Sequence, residues 1–355
     1  MRDPWDDAEL VRRFRSLAET SMPRAPLNSA LSTAIADDAA LAGLLGHAPV
    51  GQRTPVLLLA AIHFLVLGDA HHPLAAWYPN LTESPRDPAD PELAPVLRTF
   101  VGERSAAVLD LVGGRRVQTN EVGRCAVLVA AMAPIAADVG ALCHVDVGTS
   151  AGLNTLLDRY AYRFDDRPPI GRSPVEIPCS TRGGGPDVDE VPRVATAVGI
   201  DSRPVDLADP DDARWLEACC WPDQADRSRR LRAAIAVARE HPPRVVRGDA
   251  VDDLGPVVAA VADAGHPVVT TTWVLSYLDP SRRIGFVGAL DRIGVDIDLT
   301  WVLAESPAQT PELPHATDLG DRERTALTRV TWRDGTRRVE HLGTCHPHGY
   351  WIHWR

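Results

Sequence analysis

The sequence predicts an α/β protein in two parts, an all-helical N-terminal region of about 140 residues and then a mainly parallel sheet finished by an antiparallel C-terminal hairpin. Three observations lead there. Apolar residues recur at helical spacing through residues 4–140. After His144 short apolar strands alternate with helical stretches, the pattern of a parallel sheet. Between the two, residues 143–154 read Cys-His-Val-Asp-Val-Gly-Thr-Ser-Ala-Gly-Leu-Asn, an apolar strand that passes through an acid into a Gly-rich turn and then a helix.

Taken in order, the spacing predicts helices over 6–19, where Leu10, Val11, Phe14 and Leu17 share a face, and over 29–45, 54–67, 92–112 and 121–139. Pro79, Pro85, Pro88 and Pro91 mark an exposed loop. Strands follow at 143–147, 162–165, 244–247, 267–272 and 298–304. Residues 166–243 separate the second strand from the third and hold a Gly183-Gly184-Gly185 loop and a helical stretch over 211–240. Residues 327–332, the turn Asp334-Gly335 and residues 338–344 and 350–354 read as antiparallel strands. The expected domains are therefore 1–140, a helical cap and substrate domain, and 141–355, a sheet domain with an insertion at about 166–210.

Composition narrows the function. With 45% hydrophobic residues the chain can bury a substantial core, and a net charge of -11 disfavours a phosphate backbone, so no nucleic-acid partner is expected. All 37 basic residues are arginine, which excludes a pyridoxal Schiff base, a lysine nucleophile and a phosphate-loop lysine. Cys125, Cys143, Cys179, Cys219, Cys220 and Cys345 lack metal-ligand spacing and read as reduced core thiols; no metal is expected. The N-terminus carries Asp3, Asp6 and Asp7 and no signal-type apolar stretch. The apolar run over 55–68 is interrupted by His63 and falls short of the roughly 20 residues of a bilayer span. A cytoplasmic protein without a membrane partner is expected, and the sequence leaves its oligomeric state open.

The turn carries the chemistry. Its order, apolar, Asp146, apolar, Gly148, three residues, Gly152, with Asn154 just inside the following helix, resembles the first motif of class I S-adenosylmethionine-dependent methyltransferases. The resemblance implies a Rossmann sheet whose turn passes under the amino-acid part of the cofactor, with Asp146, Gly148, Thr149, Ser150, Gly152 and Asn154 around it; Ser150 replaces the middle glycine of the usual motif. It also implies that an acid ending the second strand takes the ribose hydroxyls. Asp165, 19 residues past Asp146, stands there, either in that role or as a solvated turn acid beside Asp166. In Arg247-Gly248-Asp249-Ala250 the acid and the next amide are implied to meet the adenine. The run over 268–278 resembles the strand whose end faces the transferred methyl; Trp273 either lines the pocket or only packs, and Tyr277 is a candidate substrate contact.

Two clusters lie outside these motifs. Residues 118–124, Gln-Thr-Asn-Glu-Val-Gly-Arg, open a helix, so Asn120 and Glu121 serve as capping groups or, with Arg124, line a substrate pocket. His346-Pro347-His348-Gly349-Tyr350-Trp351 falls in the final hairpin, where two histidines at spacing two on a strand face one side. Glu121, His346 and His348 are the candidate bases. End to end, through residues 52–55, 118–124, 145–160, 206–224, 247–250 and 346–354, the chain resembles domain-of-unknown-function family 2332, which implies one architecture and no reaction.

The expected function is methyl transfer from S-adenosylmethionine to an oxygen or nitrogen of a small molecule. A rival is a serine hydrolase, because Gly148-Thr149-Ser150-Ala151-Gly152 also fits a Gly-x-Ser-x-Gly nucleophile elbow, with Asp249 or Asp279 and His346 or His348 completing a triad. Against it, residues 1–140 supply none of the strands that precede such an elbow. A non-catalytic binder of the cofactor is the third reading.

Overall fold

The computed structural model describes residues 7–315 and 325–355; Asp3 and Asp6 lie outside them. The chain divides into two compact units, one formed by Met1–Thr119 with Ala208–Arg232, the other by Asn120–Leu207 with Ala233–Arg355.

Among its described residues the first unit contains helices and no strand. They include α1 (Asp7–Ser21), α2 (Pro26–Ala36), α3 (Ala39–Gly43), α4 (Pro55–Gly68), α5 (Leu93–Glu103) and α6 (Ser105–Gly114). Helix α4 is apolar on all sides apart from His63, and such a helix is stable only when surrounded. Leu57, Leu58 and Ile62 are accordingly buried with Phe14 of α1, Leu31 of α2 and Phe100 of α5. His63 is accommodated as a neutral ring, Nδ1 on the Ala218 carbonyl and Nε2 on Asn80, and burial pushes its pKa down to about 4.

The second unit begins with α7 (Arg124–Val139), followed by β1 (Leu142–Val147), β2 (Ala161–Phe164), β3 (Glu176–Gly183) and β4 (Val194–Asp201). The chain then returns to the first unit through α8 (Pro210–Ala218) and the start of α9 (Ala225–Glu240). The stretch over 211–240, expected as one helix, is interrupted at Trp221-Pro222, where proline lacks the amide that a continuing helix needs. The remaining elements are β5 (Val245–Arg247), α10 (Leu254–Ala259), β6 (His266–Thr272), α11 (Pro280–Asp296), β7 (Leu299–Glu305), β8 (Thr325–Arg333), β9 (Thr336–Cys345) and β10 (Trp351–Trp354). No helix among the described residues is long and apolar enough to cross a membrane.

The ten strands lie in the order β2-β3-β10-β9-β8-β7-β6-β1-β4-β5. Strands β5, β4, β1, β6 and β7 are mutually parallel, so their carboxyl ends share one edge. Every residue of β1 is buried, as a strand flanked on both sides in a covered sheet must be. Strands β8, β9 and β10 continue as an antiparallel meander, and β10 then pairs in parallel with β3.

This order changes the expected register of the site. The strand expected over 162–165 exists as β2, but it pairs with β3 at the far end of the sheet and not beside β1. The neighbour of β1 is β4, which lies inside the stretch expected as an insertion at about 166–210. After the Gly-rich turn the chain forms a 3-10 segment, Leu153–Arg159, with non-helical geometry at Leu156, in place of the expected regular helix.

Candidate functional site

The turn after β1 is built from both neighbouring strands. Gly148 and Thr149 donate their amides to the Ile200 carbonyl of β4, and Ser150 N donates to Asp201 Oδ2 at 2.8 Å. Gly148 has φ +70°, and a Cβ there would lie 1.9 Å from Val274 Cγ2, so only glycine fits under the loop that follows β6. Ser150 adopts φ +56°, a conformation costly for a side chain, and its buried Oγ has no hydrogen-bond partner. Asn120 completes the turn: its Oδ1 accepts from Ala151 N and Leu153 N at 3.2 and 3.1 Å, and its Nδ2 donates to Asn154 Oδ1.

Asp146 is buried one residue before the end of β1. Thr270 of β6 donates its hydroxyl to Asp146 Oδ1 at 2.8 Å and therefore accepts from His144 Nε2, also at 2.8 Å. Desolvation pushes the Asp146 carboxyl up to about 6, held back by the hydrogen bond from Thr270 and by the charge of Arg124. Burial pushes His144 down to about 3, so the ring stays neutral.

The acid that ends the strand beside β1 is Asp201, which the sequence reading passed over in favour of Asp165. Asp201 holds the Ser150 and Arg203 amides. Asp165 instead caps the end of β2, accepting from Thr181 N at 2.7 Å and from the Thr181 hydroxyl. The structure does not bring it to the turn. Asp249 follows β5, beside Asp201 through the bond from Gly248 N to the Asp201 carbonyl. Its Oδ1 accepts the Val251 and Asp252 amides, it pairs with Arg282, and the adjacent Ala250 is half-buried. Trp273, just past β6, has φ +56° and fixes its indole by a 2.8 Å bond to Thr325 Oγ1. Tyr277 is 83% exposed, and its amide donates to the Val274 carbonyl at 3.0 Å in the loop after β6.

One buried acid on this edge went unnoticed in the sequence. Glu305 ends β7, and its Oε1 accepts the amides of Val274 and Leu275, fixing the loop that presses on Gly148. Desolvation pushes its carboxyl up to about 7, against the pull of those two amides and of Arg124. An acid closing the apolar run Leu-Thr-Trp-Val-Leu-Ala was the available signal.

Residues 121–124 and 347–349 come together, although more than two hundred residues separate them. His346 and His348 are not on a strand, as expected, but in the turn between β9 and β10. That turn presses on the start of α7: at Gly349, with φ +75°, a Cβ would sit 2.1 Å from the Gly123 carbonyl oxygen. Arg124 donates through Nε to the Pro347 carbonyl at 2.8 Å and through Nη1 to the Thr272 carbonyl at 2.7 Å. Glu121 Oε1 accepts the Gly123 amide, and Oε2 lies 3.4 Å from His348 Nδ1. His346 accepts the His348 amide at Nδ1 and stacks against Tyr350 with ring centres 4.6 Å apart.

Fold and edge together define a mixed α/β protein with a mostly parallel ten-stranded sheet and a polar constellation at its carboxyl edge. The chain belongs to the family described as an uncharacterized protein conserved in bacteria, domain-of-unknown-function family 2332, whose model matches residues 11–354. No curated protein and no solved structure matches it.

Proposed function

We propose that the protein is an S-adenosylmethionine-dependent methyltransferase acting on an oxygen or nitrogen of a small molecule. The observation that carries the reading is the strand order β5-β4-β1-β6, which collects Asp249, Asp201, the Gly148–Gly152 turn and Trp273 along one edge. Ligands of open α/β sheets bind outside the carboxyl ends of the strands, where the order reverses about the first strand.

The residues on this edge fit the cofactor. The Gly148–Gly152 turn, with the unpartnered Ser150 hydroxyl, would take the amino-acid part; Asp201 takes over the ribose role expected of Asp165; Asp249 and the Ala250 amide would meet the adenine, with Trp273 as a wall. Asp146, Asp201 and Glu305 against Arg124 give surroundings suited to a cation, as a sulfonium is. Bound there, S-adenosylmethionine would supply an already activated methyl group. The protein's part is then alignment, which is worth roughly 7–11 kcal/mol in favourable cases.

Thermal unfolding with and without S-adenosylhomocysteine tests the reading. Ligand at 100 times its dissociation constant should add about 2.7 kcal/mol of stability. The shift is expected in the unmodified protein and in Asp165→Ala, and should vanish in Asp201→Ala. No shift at millimolar ligand would end the proposal.

One observation favours serine hydrolysis as a second reading: Ser150 sits at positive φ, as an elbow nucleophile does. Attack by a serine needs a base in hydrogen-bond contact, whereas Ser150 Oγ makes no hydrogen bond and so is engaged by neither His346 nor His348. Ester hydrolysis that disappears in Ser150→Ala would favour this second reading over the first.

A further inference from the structure

The geometry at the start of α7 points to a base and, through it, to a class of acceptor. We propose that His348, oriented by Glu121, takes the proton of the methyl acceptor, and that this acceptor is a hydroxyl compound or an amine rather than a carboxylate or phosphate; the inference rests on the methyltransferase reading.

Glu121 is only 3% exposed in its side chain, and its Oε1 is fixed by the Gly123 amide, so the carboxylate cannot swing away. Its Oε2 faces His348 Nδ1 at 3.4 Å, while the imidazole is 31% exposed. The negative charge of Oε2 this close to Nδ1 favours a proton on that nitrogen, although the pair lies outside hydrogen-bond geometry, and leaves the other nitrogen the more basic one. The turn that carries His348 is itself held, by the approach of Gly349 to Gly123, by Arg124 on the Pro347 carbonyl and by the bond from His348 N to His346 Nδ1.

Residues 120–124 tie this pair to the candidate cofactor site. Asn120 caps the Gly-rich turn, Glu121 faces His348, and Arg124 holds the Thr272 carbonyl immediately before Trp273. Among the groups of this constellation the acids are Glu121, Asp146, Asp201 and Glu305, and the cation is Arg124, whose guanidinium donates to two carbonyls. The Glu121 carboxylate beside His348 disfavours an anionic acceptor, whereas a hydroxyl or amine brings a proton that a base must remove. The acceptor atom forms its bond to the methyl carbon as the carbon–sulfur bond breaks and its electron pair stays with sulfur. The acceptor's proton moves to His348, which later releases it to water. His348 is thus the catalytic base and Glu121 a positioning residue.

The test uses the full chain and three readouts. Affinity for S-adenosylhomocysteine should survive in His348→Gln and Glu121→Gln; its absence from the unmodified protein would sink the methyltransferase reading itself. In histidine-labelled protein, nuclear magnetic resonance should find the His348 proton on Nδ1. Glu121→Gln should lower the pKa of this ring, which is faced by Glu121, His346 and Tyr350, with Arg124 on its turn. Formation of S-adenosylhomocysteine is then followed with a panel of small phenols, alcohols, amines and carboxylic acids. His348→Gln should lower kcat by about 10² to 10⁴ with KM little changed and remove the rise in rate with pH. Glu121→Gln should give a smaller loss and an altered pH profile. The inference fails if carboxylic acids are the substrates turned over, if no protonated acceptor reacts although S-adenosylhomocysteine binds, or if the His348 titration is the same with and without the Glu121 carboxylate.

Discussion

Asp165 and Asp201 end two strands of one sheet, and their surroundings differ in every respect that matters to a ligand. Asp201 closes β4, paired with β1 and β5, and holds the amide of a residue in the Gly-rich turn. Asp165 closes β2 at the outermost position of the sheet and is satisfied by a single residue, Thr181. Both follow short apolar runs and both have the right chemistry. Only strand pairing separates a candidate site residue from a cap, and pairing is a property of the whole sheet.

The contrast between the two ends of the sheet can be broken experimentally. The largest effect is expected at Gly148, where an added methyl meets Val274 and the backbone has φ +70°. Gly148→Ala should cost about 3 kcal/mol or more in denaturant unfolding, part of it recovered in Gly148→Ala with Val274→Ala. At the far end, a Cβ on Gly184 meets nothing within 4 Å, and Gly184→Ala should change stability by no more than about 0.5 kcal/mol. Equal costs at the two glycines would remove the distinction.

Next comes the pH dependence of the two ends. The Asp146 carboxyl titrates near 6 when folded, against 3.8 ordinarily, so the folded state holds the proton more tightly than the unfolded one. This group therefore favours folding most below about pH 4, and the advantage is lost as pH rises to 6, by up to about 3 kcal/mol. Asp146→Asn should flatten that limb and leave the protein more stable at pH 8. Asp165 has the opposite sign: its hydrogen bonds from Thr181 hold the carboxyl below its ordinary value, so its contribution is present above pH 3.8 and is lost as pH falls. Urea titrations from pH 3 to 8 on Asp146→Asn and Asp165→Asn separate the two. Coincident profiles for unmodified protein and Asp146→Asn would show that the buried acid does not behave as its surroundings require.

A smaller effect than at Gly148 or Asp146 is expected for Asp165→Ala, which removes two hydrogen bonds at an exposed strand end and should cost about 1 kcal/mol. Affinity for S-adenosylhomocysteine should be unchanged. A tenfold weakening would return Asp165 to the site.

Local patterns were legible and pairings were not. Helices α1 and α4, β1 with its turn, β6 and the Gly248-Asp249 pair after β5 each announce themselves within a dozen residues, because helical spacing and glycine between apolar runs are local signals, whereas the helices expected over 29–45 and 92–112 each break in two, into α2 and α3 and into α5 and α6. Strand β4, Val-Ala-Thr-Ala-Val-Gly-Ile-Asp, is rich in small residues and follows a Gly/Pro-rich stretch, so its apolar alternation is faint. Counting strands from β1 then gave β2 its place and Asp165 the role open to Asp201. The meeting of residues 120–124 with 346–350 has no local sign at all; it depends on Gly349, where the absence of a Cβ lets the backbone approach the Gly123 carbonyl. The regular helix expected after the turn fails at Leu156, whose backbone leaves the helical region.

The excursion of α8 bears on how the chain is made. Trp215, fully buried in the core of the first unit with Phe64 against its ring, is contributed by a segment that follows β4. During synthesis α1 to α6 emerge first, and at about 5–20 residues per second the tryptophan arrives some 5–20 s later, after four strands of the other unit have been made. The N-terminal helices must wait on the ribosome with an open core, and a chain stopped at residue 140 would never close it.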